Sequence, residues 1–151
     1  MSLEEDFRRL SRIPLFSALE PEAMRLVAFA AETRILRAGD VLFRKGDPAD
    51  SGYIVLSGSI ALDAADRGGR AVGVVGRNGL VGELALLAEL TRPVTAVARE
   101  PSTVLKVPRS LFHRVLQEFP RSAARIRATL SQRLSTFVAE LQRFAARTPP
   151  G

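Results

Sequence analysis

Apolar residues follow three different rhythms along this chain. Leu3, Phe7 and Leu10 stand at helical spacing, so Leu3 to Arg12 predicts a short amphipathic helix, interrupted by Pro14. Pro21 suits the first turn of a second helix, with Glu22 near its positive end. Met24, Leu26, Val27 and Ala28 carry that helix to about Ala31. From Thr33 the rhythm shortens to Ile35-Leu36, Val41 to Phe43, Tyr53 to Leu56, Ile60 to Leu62, and Ala71 to Val75. Turn signals separate these runs: Ala38-Gly39-Asp40, Lys45 to Pro48, Ser57-Gly58-Ser59, and Asp66 to Arg70. Within the last, Arg67-Gly68-Gly69-Arg70 predicts a hairpin turn, because paired glycines supply positive φ angles. Short strands at this spacing predict an antiparallel sandwich or barrel.

One segment breaks the strand rhythm. Gly82 to Leu90 is rich in Leu, Ala and Glu, which predicts a helix inside the barrel. Two more strands follow, Val94 to Arg99 and Thr103 to Val107, joined by a turn at Glu100-Pro101-Ser102. The last third is helical. Ser110 to Phe119 forms one helix, and Pro120 begins another that runs to about Arg147. On it, Leu130, Leu134, Phe137, Leu141 and Phe144 recur as a heptad-like stripe. Such a stripe must be buried, against its own barrel or against a twin helix of a second subunit; a homodimer is the favoured expectation. The domain is expected over residues 1–147, with the barrel at about 32–108 and the C-terminal helices at about 110–147. Thr148 to Gly151 is expected to be a disordered tail.

Composition narrows the function classes. The 151 residues fit one ordinary domain. An apolar content of 46% with 25% charged residues is that of a folded soluble protein. No apolar run approaches the roughly 20 residues of a membrane helix; Ala23 to Ala31 comes nearest and is broken by Arg25. The acidic start Glu4-Glu5-Asp6 does not resemble a secretory signal, so the cytoplasm is the expected location. There is no cysteine, which excludes disulfides, thiol catalysis and cysteine-ligated metal. His113 is the single histidine, so no metal site of the His-pair or His-triad kind is expected.

The charge is 22 basic against 16 acidic residues, or +6, and nearly all of the surplus is arginine. A basic chain can bind nucleic acid, an acidic partner or a small anion, or simply present a solvated surface. Arg121, Arg125, Arg127, Arg133, Arg143 and Arg147 along the last helix are best read as a solvated face, and His113 as a surface or core-edge residue. Asp40, Asp47 and Asp50 sit in turns, where aspartate caps backbone groups.

The interrupting segment carries the candidate chemistry. Gly82 precedes it, Glu83 stands in its first turn, and Arg92 follows ten residues after Gly82. Free N–H groups at a helix start attract phosphate, and glycine lets a ligand approach the backbone. Arginine adds a planar, permanently charged fork for phosphate oxygens. Glutamate accepts hydrogen bonds from a sugar hydroxyl. Together these describe a nucleotide site; taken alone, the same residues also fit a surface ion pair worth about 0–1 kcal/mol.

The run Gly82 to Leu87, then Thr91-Arg92-Pro93-Val94-Thr95-Ala96-Val97, resembles the phosphate-binding cassette of the cyclic nucleotide-binding domain family. Pro14 to Leu19, Gly39 to Phe43, Gly46 to Asp50 and Tyr53 to Gly58 resemble further motifs of that family in the same order. The likeness covers about Phe7 to Glu140. It implies a mainly β, α+β fold: an antiparallel double-stranded β-helix (β-roll or jelly roll) with N-terminal helices, an internal cassette helix and a long C-terminal helix. It also implies a sensor or regulatory domain, without enzyme activity, that binds cyclic AMP or cyclic GMP and passes occupancy to its C-terminal helices. On this likeness Arg92 pairs with the cyclic phosphate and Glu83 holds the ribose 2′-hydroxyl. Gly82, Pro93, Val94 and Thr95 complete the cassette, and N–H groups near Leu84 and Ala85 complete the phosphate cradle. Val72 and Val74 line the base pocket.

The chain departs from the pattern in three ways. Where the family usually has Ala, Ser or Thr after the cassette arginine, this chain has Pro93, which has no N–H to donate. No hydroxyl remains there to favour guanine, so cyclic AMP is the expected ligand. Gly79 to Gly82 is one residue short, and Phe137 and Val138 stand where relatives place a polar side chain near the purine. The alternative is a ligand-free fold that serves as a dimerisation module, or the sensor fragment of a longer transcriptional regulator. No DNA-binding module fits within these residues.

Overall fold

The computed structural model describes residues 8, 10–63, 73–86, 88–129, 131, 132 and 135. Arg8, Leu10 and Ser11 are helical, and two helices follow, α1 (Pro14–Ser17) and α2 (Pro21–Ala30). Proline opens each, at the position where a missing N–H leaves no bond unmade. Strands follow: β1 (Glu32–Leu36), β2 (Val41–Phe43), β3 (Pro48–Ala49), β4 (Ser51–Ser57), β5 (Ile60–Asp63), β6 (Gly73–Val75) and β7 (Leu80–Val81). A 3₁₀ turn (Glu83–Leu86) precedes β8 (Leu90–Thr91), β9 (Thr95–Ala98) and β10 (Ser102–Pro108), and α3 (Arg109–Glu118) follows. Residues 120–129 are helical.

The strands form two four-stranded sheets, ordered β1-β10-β4-β7 and β2-β9-β5-β6, and a separate β3-β8 pair. All described pairings are antiparallel. This is the expected β-roll with helices at both ends.

β4 explains how the roll and the helices share one core. Its residues Ser51 to Leu56 are buried on both faces. Tyr53 and Val55 point into the roll with Val81, Ala96 and Val104. Ile54 and Leu56 point the other way, onto Phe16, Val27, Phe112 and Ile126 of the helices. The continuous apolar run Tyr53 to Leu56 in the sequence is the mark of a strand covered on both sides. A hydrogen bond also joins the two helical ends: the Glu20 N–H donates to Oγ of the buried Ser122 at 2.9 Å.

The turns form where glycine and aspartate predicted them. Gly39, Gly46 and Gly58 have φ of 90°, 92° and 85°. Asp40 accepts from the Arg37 N–H at 2.8 Å and Asp47 from the Arg44 N–H at 3.1 Å, as turn caps do. One element is shorter than expected. Instead of a helix over Gly82 to Leu90 there is a four-residue 3₁₀ turn, because Leu90 and Thr91 are taken up in pairing with Ala49 and Pro48. α3 begins one residue earlier than expected, at Arg109.

The Arg67 to Arg70 hairpin turn, Val72, the Leu130–Phe144 stripe and the tail lie outside the described residues. Among the described residues, no helix is long and apolar enough to cross a membrane.

Candidate functional site

Gly82 is set in place by β7, whose Val81 and Leu80 pair with Tyr53 and Ile54 of β4. Gly82 itself takes a φ of 68°, a left-handed conformation that glycine adopts without steric cost. The chain then turns through Glu83–Leu86. Ala85 and Leu86 are buried and anchor the turn, while Glu83 and Leu84 are half-buried. A second glycine makes this seating possible. A Cβ on Gly52 would lie 3.1 Å from Leu86 Cγ and 3.4 Å from the Glu83 Cα, so the turn rests directly on the β4 backbone.

Arg92 follows β8 and is held from both sides of its backbone. Its N–H donates to Asp47 O, and its carbonyl accepts from the Gly46 N–H, each at 2.8 Å. The side chain turns inward and is only 3% exposed. Nη2 donates to the Ser51 carbonyl at 2.7 Å. The guanidinium carbon lies 4.1 Å from the Phe43 ring centroid and 5.7 Å from that of Tyr53. Desolvation of this kind strengthens a cation–π contact to about 2 kcal/mol.

Two of the guanidinium nitrogens, Nε and Nη1, are buried without a hydrogen-bond partner. No described carboxylate lies within ion-pair distance of them. Burial therefore lowers the Arg92 pKa, against the opposing pull of Tyr53, Asp50 and Asp47. An arginine remains cationic at neutral pH despite such a shift. A buried, under-satisfied cation is costly, and an anion delivered to it supplies both the missing acceptors and the missing charge.

The remaining predicted residues take several places. Thr95 is buried, and its Oγ1 accepts the Lys45 N–H at 2.9 Å, which holds the β2–β3 turn. Val94 is half-buried against the roll core. Pro93 is exposed. Val74 is 47% exposed on β6. The Ala85 N–H donates to the Gly82 carbonyl at 3.2 Å, so it is engaged within the turn. The structure brings Gly82 and Arg92 into direct apposition, since Nη1 occupies the space a Gly82 side chain would need.

Several functional residues were not visible in the sequence. Ser51 contributes through its carbonyl, and Phe43 and Tyr53, with centroids 6.0 Å apart, form the ring bed under Arg92. Asp50 accepts the Ser51 hydroxyl at 2.9 Å, which is the first cause of its lowered pKa. The Gly46–Ser51 segment, rich in turn residues and followed by an apolar strand, was the only signal.

Comparison with known proteins bears on these residues directly. The cyclic nucleotide-binding domain family matches residues 33–119. Lysophospholipase nte1 of Aspergillus terreus is 34% identical over 124 residues; the match covers 81% of this chain and 8% of that protein. A cyclic nucleotide-binding-like protein from Brucella abortus is 42% identical, with a TM-score of 0.67, covering 75% of this chain and 98% of that one. The regulatory domain of Toxoplasma gondii PKA, solved with cAMP, is 30% identical, with a TM-score of 0.69 over 75% of this chain and 44% of that one.

Proposed function

Because the chain belongs to the cyclic nucleotide-binding domain family, we propose that it is a sensor whose Gly82–Thr95 segment binds a cyclic nucleotide, cyclic AMP in preference to cyclic GMP. The observation that carries this reading is the pair of buried, unpartnered nitrogens of Arg92. A cyclic phosphate is a compact monoanion with two free oxygens, which suits a small, dry receptor with a fixed cation. Glu83, next to Gly82 and half-buried, is the acceptor for the ribose 2′-hydroxyl. Val74, with Val72 nearby in sequence, offers apolar surface to the base. Pro93 offers neither N–H nor hydroxyl, so nothing at that position rewards the guanine amino group.

The proposed role is binding without catalysis. Asp40 and Asp47 use their carboxylates as turn caps. Occupancy is passed to the C-terminal helices, and self-association through the Leu130–Phe144 stripe belongs to the same proposal. Transmission requires that the ligand bind two arrangements of the chain unequally.

Calorimetric titration of ligand-free protein with cyclic AMP and then cyclic GMP tests the reading. Saturable binding is expected, stronger for cyclic AMP, and lost in Glu83→Ala and Arg92→Ala. At a hundredfold excess over Kd the ligand should add about 2.7 kcal/mol of stability, a rise in Tm of roughly 5–11 °C for a chain of this size. An Arg92→Ala variant that binds as tightly as the parent overturns the site. A parent that binds neither nucleotide at millimolar concentration favours the ligand-free dimerisation module instead.

A further inference from the structure

β1 is the outer strand of its sheet. β10 pairs with one of its edges, and among the described residues no strand pairs with the other. Open edges template pairing with another chain, and are usually blunted by lysine, proline or a bulge. The five residues of β1, Glu32–Leu36, include neither lysine nor proline, and no register shift interrupts their pairing. Ile35 on this strand is 82% exposed, and Phe29, near the end of α2, is 78% exposed. Thr33 stands opposite Leu105, which packs on the helices. Side chains alternate along a strand, so Thr33 and Ile35 lie on the helical side of the sheet and Glu32 and Arg34 on the other.

The charges on this strand fit a second copy of it. Glu32 and Arg34 form an exposed ion pair at 3.6 Å, worth little within one chain. Two copies of β1 related by a two-fold axis pair antiparallel, and residues that face each other share a side of the sheet. The axis therefore passes through one residue, and that residue decides which charges meet. An axis at Glu32 sets Glu32 against itself, and an axis at Arg34 sets Arg34 against itself. An axis at Ile35 gives neither charge a counterpart. With the axis at Thr33, Glu32 of each copy faces Arg34 of the other. Opposite charges at facing positions are favourable, as is the threonine pair that forms on the axis. Lys106, which stands opposite Glu32 on β10, carries the alternation of sign one strand further. The same register sets Ile35 against Ala31 of the other copy, two residues beyond its exposed Phe29.

We infer that the open edge of β1 is a self-association surface, whose occupant is β1 of a second copy, paired antiparallel about Thr33. The two sheets then continue into one. This contact is separate from the Leu130–Phe144 stripe and independent of any ligand at Arg92. Contacts built on one short strand lie at the small, weak end of interfaces, below about 1,200 Å². Association that rises with concentration is therefore expected rather than a permanent dimer.

The chain has no cysteine, so one introduced thiol reports on one position. Disulfides form when Cα atoms come within about 7 Å. Thr33→Cys lies on the axis and should cross-link two copies under mild oxidation. In Arg37→Cys the two thiols stand roughly 25 Å apart in this register, so cross-linking should be at least about tenfold slower. Equal rates overturn the register. Sedimentation of the whole chain over a concentration series supplies the second measurement. Glu32→Arg and Arg34→Glu should each weaken self-association by about tenfold. Mixing the two variants should restore it, because every facing pair is then opposite in sign. Each variant lacks the ion pair within its own chain, so a recovery on mixing belongs to the contact between copies. Association that ignores both substitutions, as contact through the Leu130–Phe144 stripe would, overturns the proposal. So does a parent that stays monomeric at millimolar concentration, which would leave the edge to a strand of another protein.

Discussion

Gly82 lies directly beneath Nη1 of Arg92, at a φ of 68°, with no room for a methyl group between them. The glycine thus serves two purposes, a left-handed turn and a close approach. Gly82→Ala should impose backbone strain of about 1–3 kcal/mol and push the guanidinium out of its seat. A fall in Tm of roughly 2–12 °C is expected, together with weaker cyclic AMP binding. Gly73→Ala is the control. Among the described residues a Cβ there meets only Leu62 Cδ1, at 4.0 Å, so its melting temperature should stay close to that of the parent.

On the proposed binding mode, Arg92 is held in place for ligand rather than for stability. Its burial leaves Nε and Nη1 unsatisfied and depresses its pKa. Replacing a buried charge by an apolar side chain of similar length is often neutral or stabilising. Against this, Arg92→Met gives up the ring contacts with Phe43 and Tyr53 and orphans the Ser51 carbonyl. The two sides nearly cancel. Ligand-free Arg92→Met should therefore melt within about 1 kcal/mol of the parent, or roughly 2–4 °C. The increase in Tm on adding cyclic AMP should vanish. A large loss of ligand-free stability would mean that Arg92 is chiefly a structural residue.

Most of the fold was legible because its signals are local. Gly39, Gly46 and Gly58 mark turns by their positive φ, and Asp40 and Asp47 cap them within three residues. The run Tyr53 to Leu56 reveals a strand covered on both faces. Gly82 and Arg92 were also legible, since glycine and arginine keep their identity in any context. What the sequence hid acts through the main chain or over distance. The Ser51 carbonyl is an acceptor any residue could supply. Phe43 and Tyr53 look like ordinary core aromatics. Arg109 meets Ala49 across 60 residues of chain. The cassette helix was overestimated for a related reason. Its composition favours helix, but the pairing of Leu90 and Thr91 with β3 is a tertiary contact that ends the turn early.

Asp50 makes stability depend on pH in a defined direction. Its pKa is lowered, first by the Ser51 hydroxyl, with Lys106 and Arg92 adding to the effect and burial opposing it. A carboxylate with a depressed folded pKa stabilises the fold above its unfolded pKa of about 3.9, and that stability is lost as pH falls through the folded value. Asp50→Asn should therefore melt below the parent at pH 7, and the gap should close below about pH 4. Thermal melts of both proteins at pH 7 and pH 3 check this. A gap that persists unchanged at pH 3 would assign the effect to packing rather than to charge.

Pro93 sets the two requirements on this segment against each other. It is exposed and follows Arg92 directly, so on the proposed binding mode its peptide nitrogen faces the phosphate without a hydrogen to donate. Pro93→Ala restores that donor. A hydrogen bond to a charged acceptor contributes roughly 1.5–3 kcal/mol, so cyclic AMP should bind about 10- to 100-fold more tightly. Ligand-free stability should move the other way. Proline restricts the unfolded chain, and removing it should lower stability by about 0.4–1 kcal/mol. A tighter binder that melts slightly earlier without ligand is therefore the expected variant, read by calorimetry and by melting with and without cyclic AMP. Unchanged affinity in Pro93→Ala would place the phosphate away from residue 93 and leave Arg92 and the Glu83–Leu86 turn as its only holders.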